Sequence, residues 1–243
     1  MLFRALWIPA PRLILSGACF AGVTLACAAA SKEVALDVGH STATQGAISA
    51  RGVPEFEYNL ALAREVAAAL ERAGLRVRLI GAAGDIEDLA SRPRAALGSD
   101  FFISIHHDSI KERLLERWQH EGESRRYNDR VAGFSLFVSR ENPRLAQSLA
   151  CARAIGRMLR EKGFTPSRYH ADPVLGESRE FADEPNGVHY FDRLAVARHA
   201  GMPALLFEAG VIVNRDEELR MRDPAVRQAI ADALAQGIRQ CLN

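Results

Sequence analysis

The sequence lacks a strong net charge, a second long apolar run, internal repeats and low-complexity tracts. Lysine and arginine total 31 against 30 acidic residues, so electrostatics gives no argument for a nucleic-acid partner. Beyond the first thirty residues, no run is long and apolar enough to span a membrane, which takes roughly 20 residues. No domain linker is evident, and the length of residues 31–243 suits one domain with a substantial core.

The first thirty residues differ from the rest because they carry the features of an export signal. Two arginines are their only charges, and a mostly apolar run extends from Leu13 to Ala26. The small residues Ala28–Ala30 then provide a cleavage site before Ser31. We expect residues 1–30 to be a signal peptide and the mature chain to be exported. An uncleaved N-terminal anchor is the alternative.

Cysteine is scarce, and its positions leave two questions open. Cys19 and Cys27 lie in the signal segment, and neither follows a convincing Leu-small-small triplet, so a lipoprotein is a minor alternative. The mature chain retains Cys151 and Cys241, both in predicted helices. In an oxidising compartment these two could form one disulfide, and two buried free thiols are the alternative.

Apolar periodicity predicts strands and helices in alternation. Val34–Val38 is a strand, Pro54 opens a helix that ends at Ala73-Gly74, and Leu75–Ile80 alternates as a second strand. These elements form a βαβ unit. Further elements are predicted at Phe101–Asp108, Phe134–Val138 and Ala204–Phe207 (strands) and at Leu145–Leu159 and Pro224–Leu242 (helices). The pattern predicts an α/β fold in which one domain has a mixed or parallel sheet sandwiched by helices.

Two segments do not fit this alternation. Lys111–Arg130 is strongly charged, and we expect a surface helix and loop that either covers the site as a lid or presents a solvated face. Thr165–His189 lacks periodicity and contains three prolines. It is too long for an ordinary tight connection, so a role in substrate recognition is plausible.

Chemically capable residues lie at the ends of three predicted strands. They are His40, His106 and Glu208, and Glu55 joins them from the first turn of the helix after His40. In open α/β sheets, ligands bind outside the carboxyl ends of the strands. We therefore expect these side chains to meet at one edge of the sheet.

Two histidines and one glutamate suit catalytic zinc, which takes three protein ligands and leaves a position open for water. Glu208 would then be free to act as a general base. Alternation along the strand points His106 and His107 to opposite faces, so only one of them should enter the site. Because no pair has a self-identifying spacing, histidines that merely satisfy backbone carbonyls are the alternative.

Four stretches resemble, in order, the motifs of the zinc-dependent N-acetylmuramoyl-L-alanine amidases of the amidase-3 type. They are Val34–His40, Glu55 five residues before Leu60, Ile103–His106 and Phe207–Asn214. The resemblance extends over nearly all of the chain from residue 34 to residue 242. Departures in the loop after His40, and at the two residues that follow His106, concern substrate preference and regulation rather than the ligand set.

The resemblance implies that His40, Glu55 and His106 bind one Zn²⁺ ion per chain and that Glu208 is the catalytic glutamate. The implied reaction is hydrolysis of the amide between the lactyl group of N-acetylmuramic acid and L-alanine in peptidoglycan. Together with the export signal, it implies a periplasmic or cell-envelope location. Peptidoglycan is the expected partner, a protein activator is a further candidate, and we expect a monomer.

Several other residues are candidates beside this set. Glu57 competes with Glu55, but two residues along a helix is a rotation of about 200°, so both cannot face one metal ion. The match to Leu60 favours Glu55. His107 is expected to support the site or to face the substrate rather than to bind metal. Arg92 and Asp37 are expected to have structural roles.

Three further residues complete the candidates. His170 and His189 lie in the irregular segment and could approach the substrate, although surface positions are the default expectation. Asn214 is expected to shape the turn after Glu208.

Two other functions fit the same residues. One is an exported, non-catalytic or autoinhibited protein that binds peptidoglycan or regulates its turnover. The other is a zinc peptidase that acts within the stem peptide. The order of the motifs disfavours the peptidase, whereas the chemistry of the site alone does not.

Overall fold

The computed structural model describes residues 1–3 and 31–243. Residues 4–30 of the predicted signal peptide lie outside the described residues, so that segment and its cleavage stay predictions. Among the described helices, none combines the length and the apolar character needed to cross a bilayer. Residues 31–243 cluster as one compact unit.

A mixed seven-stranded sheet is the centre of residues 31–243. The described strands are β1 (Glu33–Val38), β2 (Arg76–Ile80), β3 (Phe101–Asp108), β4 (Glu116–His120), β5 (Glu123–Tyr127), β6 (Ser135–Val138), β7 (Phe181–Asp183), β8 (Val188–Tyr190) and β9 (Ala204–Val211). The order in the sheet is β2-β1-β3-β9-β6-β8-β7, and β4 pairs with β5 in a separate ribbon. Strands β2, β1, β3 and β9 are parallel, whereas β6 and β8 run in the opposite direction.

Helices cover both faces of the sheet. They are α1 (Glu55–Arg72), α2 (Ser91–Ala95), α3 (Leu145–Glu161), α4 (Ala195–Arg198), α5 (Arg215–Arg222) and α6 (Pro224–Leu242). Helices α1, α3 and α6 pack on one face, and α4 with the end of α2 packs on the other. The predicted single-domain α/β fold, with a mixed sheet between helices, is confirmed.

Strand β3 lies in the middle of this core, which explains its apolar sequence. Phe101, Phe102, Ile103 and Ile105 are all fully buried, because helices cover both faces of the strand. Burial of both faces fixes the strand in its register. The polar residues at its end, from His106 onwards, are thereby brought to the carboxyl edge of the sheet.

The segment Lys111–Arg130 forms a β-ribbon, so the predicted surface helix is wrong. Glu121 and Gly122 both have positive φ, as a two-residue hairpin turn requires. Trp118 of β4 donates its indole N–H to the carbonyl of Ala50 at 3.0 Å. The strand pairing and this anchor outweigh the helical tendency of a Glu- and Arg-rich sequence.

The segment Thr165–His189 contains more regular structure than its sequence indicates. It includes β7 and the start of β8, which pair as an antiparallel edge of the main sheet. Asp183 accepts a hydrogen bond from the backbone of Asn186, and Gly187 takes a positive φ between the two strands. Strands of three residues are too short to show a period of two.

Cys151 of α3 and Cys241 of α6 form a disulfide, with their Cα atoms 5.0 Å apart. The two helices pack side by side, and the bond joins positions 90 residues apart in the sequence. The sequence left this pairing open because it could not place the two helices together.

Candidate metal centre

The four predicted site residues meet at the carboxyl edge of the parallel half of the sheet. His40 follows β1, while His106 of β3 and Glu208 of β9 are direct partners in the strand register. Glu55 approaches from the first turn of α1. All four side chains line one cavity of about 320 Å³.

His40, Glu55 and His106 form a tight cluster. His40 Nε2 lies 2.9 Å from Glu55 Oε2, and His106 Nδ1 lies 2.9 Å from Glu55 Oε1. One ligand-capable atom from each residue falls within 4.8 Å of the others. Each histidine therefore directs a ring nitrogen toward the same small volume.

Further donors fix the Glu55 carboxylate. The backbone N–H of Ala47 donates to Oε2 at 3.0 Å, and the Asn59 side chain donates to Oε1 at 3.1 Å. Burial by itself raises the pKa of Glu55, but hydrogen bonds and charges from His106 and His40 outweigh it and lower the pKa below its ordinary value. Glu55 is thus held as an oriented carboxylate.

The backbone around His40 allows the side chains of the cluster to lie very close to it. His40 has φ of 70°, and the buried Arg92 guanidinium donates to its carbonyl oxygen while pairing with Asp37 at 2.7 Å. A Cβ on Gly39 would lie 2.3 Å from His106 Nε2, and one on Gly46 would lie 2.5 Å from Glu55 Oε2. The glycines leave the room that the cluster needs, and Arg92 and Asp37 have the predicted structural role.

The donor set fits a zinc ion. Two imidazole nitrogens and one carboxylate are the ligands of an open catalytic zinc site, and a fourth position would face the cavity. Asn59 and Ala47 hold the carboxylate from outside, as supporting hydrogen bonds commonly do around ligands.

Glu208 has a contrasting environment. Its Oε2 atom is buried and has no hydrogen-bond partner among the described residues. Burial raises the pKa of Glu208 well above its ordinary value, and the charges of Asp108, Glu55 and Glu177 raise it further. This carboxyl group holds its proton more tightly than an exposed glutamate.

The cavity that Glu208 lines is also lined by a buried histidine between two carboxylates. His170 Nε2 lies 2.6 Å from Asp108 Oδ2, and His170 Nδ1 lies 3.1 Å from Glu177 Oε2. Burial lowers the pKa of His170, but the charge and hydrogen bond of Asp108 and those of Glu177 outweigh it and raise the pKa to about 9. His170 is therefore an imidazolium at neutral pH.

The remaining candidates lie outside the cluster. Glu57 is exposed on α1, so only Glu55 reaches the histidines. His107 is buried, its Nδ1 lies 2.9 Å from Asn59 Oδ1, and burial lowers its pKa to about 3. Asn214 caps α5 by accepting hydrogen bonds from two backbone N–H groups, as expected for a turn residue after Glu208.

Sequence reasoning missed the burial of two histidines. His170 and His189 were expected at the surface, yet they are 6% and 0% exposed. His189 stacks between Phe137 and Phe181, so it does not line the cavity. Glu177, seven residues after His170, was a usable signal for a local ion pair, whereas the approach of Asp108 depends on the fold.

The fold and this cluster define a single-domain α/β protein with a candidate metal-dependent hydrolytic site. The chain belongs to the N-acetylmuramoyl-L-alanine amidase family Amidase_3, which it matches over residues 34–240. The family resemblance carried by the four motif stretches is thereby confirmed.

Individual relatives agree with this assignment. The probable cell wall amidase LytH of Staphylococcus aureus is 25% identical over 210 residues, a match that covers 86% of this chain but 57% of that protein. The chain thus spans little more than half the length of the curated relatives it matches. The catalytic domain of CwlV, an N-acetylmuramoyl-L-alanine amidase from Bacillus (Paenibacillus) polymyxa var. colistinus, superposes with a TM-score of 0.64 at 25% identity, covering 86% and 97% of the two chains.

A third relative was solved with a partner. The CwlD amidase of Clostridioides difficile, in complex with the GerS lipoprotein, superposes with a TM-score of 0.62 at 19% identity. The match covers 87% of this chain and 98% of that one. At this identity the likeness shows the fold alone.

Proposed function

We propose that this chain is a zinc-dependent peptidoglycan hydrolase that cleaves the amide between N-acetylmuramic acid and the L-alanine of the stem peptide. One observation carries the proposal: the His40–Glu55–His106 cluster shares a cavity with Glu208, whose buried Oε2 atom has no hydrogen-bond partner among the described residues. Membership of the amidase family supports the choice of substrate and of bond.

The three clustered residues would hold the metal. Zinc bound there supplies a Lewis acid that polarises the scissile carbonyl and makes water more acidic. Asn59 and Ala47 keep the Glu55 carboxylate in its orientation. Arg92 keeps His40 in its left-handed backbone conformation through the His40 carbonyl.

Glu208 would move the proton. As a carboxylate it accepts a proton from the attacking water, whose oxygen bonds to the carbonyl carbon. It then gives that proton to the amide nitrogen as the C–N bond breaks. The products are the lactyl carboxylate of the sugar and a stem peptide with a free L-alanine amine. A raised pKa suits both roles, because the group must release its proton and regain it near neutral pH.

The cellular location and the candidate partners follow from the same proposal. The substrate lies outside the cytoplasmic membrane, which agrees with the export signal expected in residues 1–30, so we place the chain in the periplasm or cell envelope. The CwlD relative was solved with a lipoprotein, and we include a protein activator among the candidate partners. The proposed enzyme is otherwise a monomer.

A digest of purified peptidoglycan by the chain from Ser31, with products read by mass spectrometry, tests the function. We expect free stem peptides that begin with L-alanine, lost on chelation and restored by zinc. Release of D-alanine, or a cut between two peptides, would instead identify a stem-peptide peptidase. Bound zinc without any product would indicate a binding protein or an enzyme that awaits an activator.

A further inference from the structure

A second cavity adjoins the candidate metal centre and has no part in the proposed proton transfers. It encloses about 350 Å³ and shares two lining residues, Ala47 and Ser109, with the first cavity. Ala47 is the residue whose N–H holds Glu55, and Ser109 follows the last residue of β3. The two cavities therefore lie side by side at these two residues, and the His40–Glu55–His106 cluster lines the first of them.

The walls of this second cavity, here called the hairpin groove, combine apolar and cationic groups. Ile48, Leu115 and Val213 supply the apolar part, and Ile48 is 47% exposed. Arg125 and Arg126 of β5 supply the charge, and no acidic residue is among the described residues that line it. Such a surface suits an extended ligand with small apolar groups and an anionic end.

Both arginines can accept a new anionic partner. Arg125 pairs with Glu123 at 2.6 Å and Arg126 with Glu112 at 2.5 Å. The two glutamate side chains are 66% and 77% exposed, and exposed ion pairs are weak. A carboxylate that enters the groove can therefore replace either of them, and bidentate geometry favours it.

The groove wall is held in place before any ligand arrives. Trp118 is bonded to the carbonyl of Ala50, and the Arg215 guanidinium lies 5.0 Å from the Trp118 ring and 3.9 Å from the Tyr127 ring. The Arg125 guanidinium packs against Gly52, where an added Cβ would lie 2.4 Å from its Cζ. A fixed arginine loses little conformational freedom on binding.

We propose that the hairpin groove is a subsite for the acidic part of the stem peptide, with Arg125 and Arg126 binding its carboxylates. The inference rests on the proposed function. On one side of the scissile amide, the muramic acid sugar offers hydroxyl and acetamide groups. On the other side, the stem peptide offers carboxylates and the methyl group of L-alanine. The cationic, partly apolar groove matches the peptide side.

The test compares two soluble muramoyl-peptide substrates, one with free stem carboxylates and one with those carboxylates amidated. In the double variant Arg125→Gln/Arg126→Gln, we expect KM for the acidic substrate to rise about tenfold, as loss of a charge-assisted hydrogen bond implies. The value of kcat and the KM for the amidated substrate should stay near wild type. Arg130→Ala is the matched control, because Arg130 is an exposed arginine in the same segment that pairs with Glu116 and does not line the groove.

The outcomes separate this inference from the proposed function. An unchanged KM for the acidic substrate, or an equal rise for both substrates, would overturn the subsite. If wild type cleaves neither substrate, the proposed function fails, and calorimetry with the free acidic stem peptide still decides the subsite. Binding that weakens in the double variant but not in Arg130→Ala supports it, and equal binding in all three proteins refutes it. A matched melting temperature shows that the double variant remains folded.

Discussion

Glu55 and Glu208 lie at the same edge of the sheet, and their surroundings are opposite. Glu55 accepts hydrogen bonds from Ala47 and Asn59 and faces two histidines. Glu208 Oε2 has no partner among the described residues. Burial raises the pKa of both, but the histidines reverse the effect at Glu55, while neighbouring carboxylates add to it at Glu208. Under the proposed function, the same side chain is thus suited to bind a metal ion in one place and to carry a proton in the other.

The difference comes from the elements that hold the two residues. Glu55 lies in the first turn of α1, where the helix dipole favours a negative charge, and its carboxylate accepts a hydrogen bond from the Ala47 N–H. Glu208 lies in β9 directly after Phe207, which is fully buried, and its strand partner is His106. Two backbone N–H groups of these strands donate to other carboxylates instead: the N–H of His107 to Glu55 and the N–H of Val211 to Glu217.

The largest expected effect is at Glu208. In Glu208→Gln the side chain keeps its size but cannot carry the proton, so amide hydrolysis should fall by roughly 10²–10⁴-fold. Zinc content, measured by elemental analysis of the purified protein, should stay at one ion per chain. Turnover at the wild-type rate would remove Glu208 from the mechanism.

Glu55→Gln is the reciprocal variant and Glu57→Gln the matched control. The first should lose both metal and activity, because an amide oxygen is a weaker ligand than a carboxylate. The second should change neither, since Glu57 is exposed on the same helix. If Glu55→Gln retained zinc while Glu208→Gln lost it, the roles of the two glutamates would have to be exchanged.

A smaller effect is expected at Asn59, which bonds to both Glu55 and His107. Asn59→Ala leaves the proposed metal ligands in place but removes one of the donors that orient Glu55. Zinc affinity should fall by roughly 10–100-fold, as is typical when a hydrogen bond to a ligand is lost. A competition titration with a chelator of known affinity measures it. Equal affinity in the variant, with a lowered melting temperature, would assign Asn59 to stability alone.

The parallel half of the sheet was predictable from the sequence because its residues are chemically uniform. Strands β1, β3 and β9 are mostly apolar runs buried on both faces; His40 follows β1 by two residues, and His106 and Glu208 lie in the carboxyl-terminal halves of β3 and β9. Together with the helical period of α1, this places His40, Glu55, His106 and Glu208 at one edge. Local pattern and tertiary environment agree there.

The other regions were not predictable because their order depends on partners distant in sequence. Strands β4 and β5 are polar on both sides, and the indole of Trp118 is bound by Ala50, far away along the chain. The ion pair of His170 with Asp108 likewise depends on the fold, because β3 brings Asp108 beside a histidine that is distant in sequence. No periodicity in the sequence reports such contacts.

The smallest expected effect concerns His170, the imidazolium that lines the same cavity as Glu208. His170 has a pKa of about 9 in the folded chain against an ordinary value of 6.5, so its ion pairs stabilise the fold fully below pH 6.5. The contribution, at most about 3 kcal/mol, should decline as the pH rises through about 9. Urea unfolding of wild type and His170→Asn across this range measures it.

The difference in free energy of unfolding between these two proteins should be largest in the acidic part of that range and shrink toward the alkaline part. A difference for His170→Asn that does not vary with pH would mean that the pKa of His170 is the same in the folded and the unfolded chain, so that His170 is mostly neutral above pH 6.5 in both. Asp108 and Glu177 would then lack the compensating charge inferred here, and their repulsion of the Glu208 carboxylate would be larger.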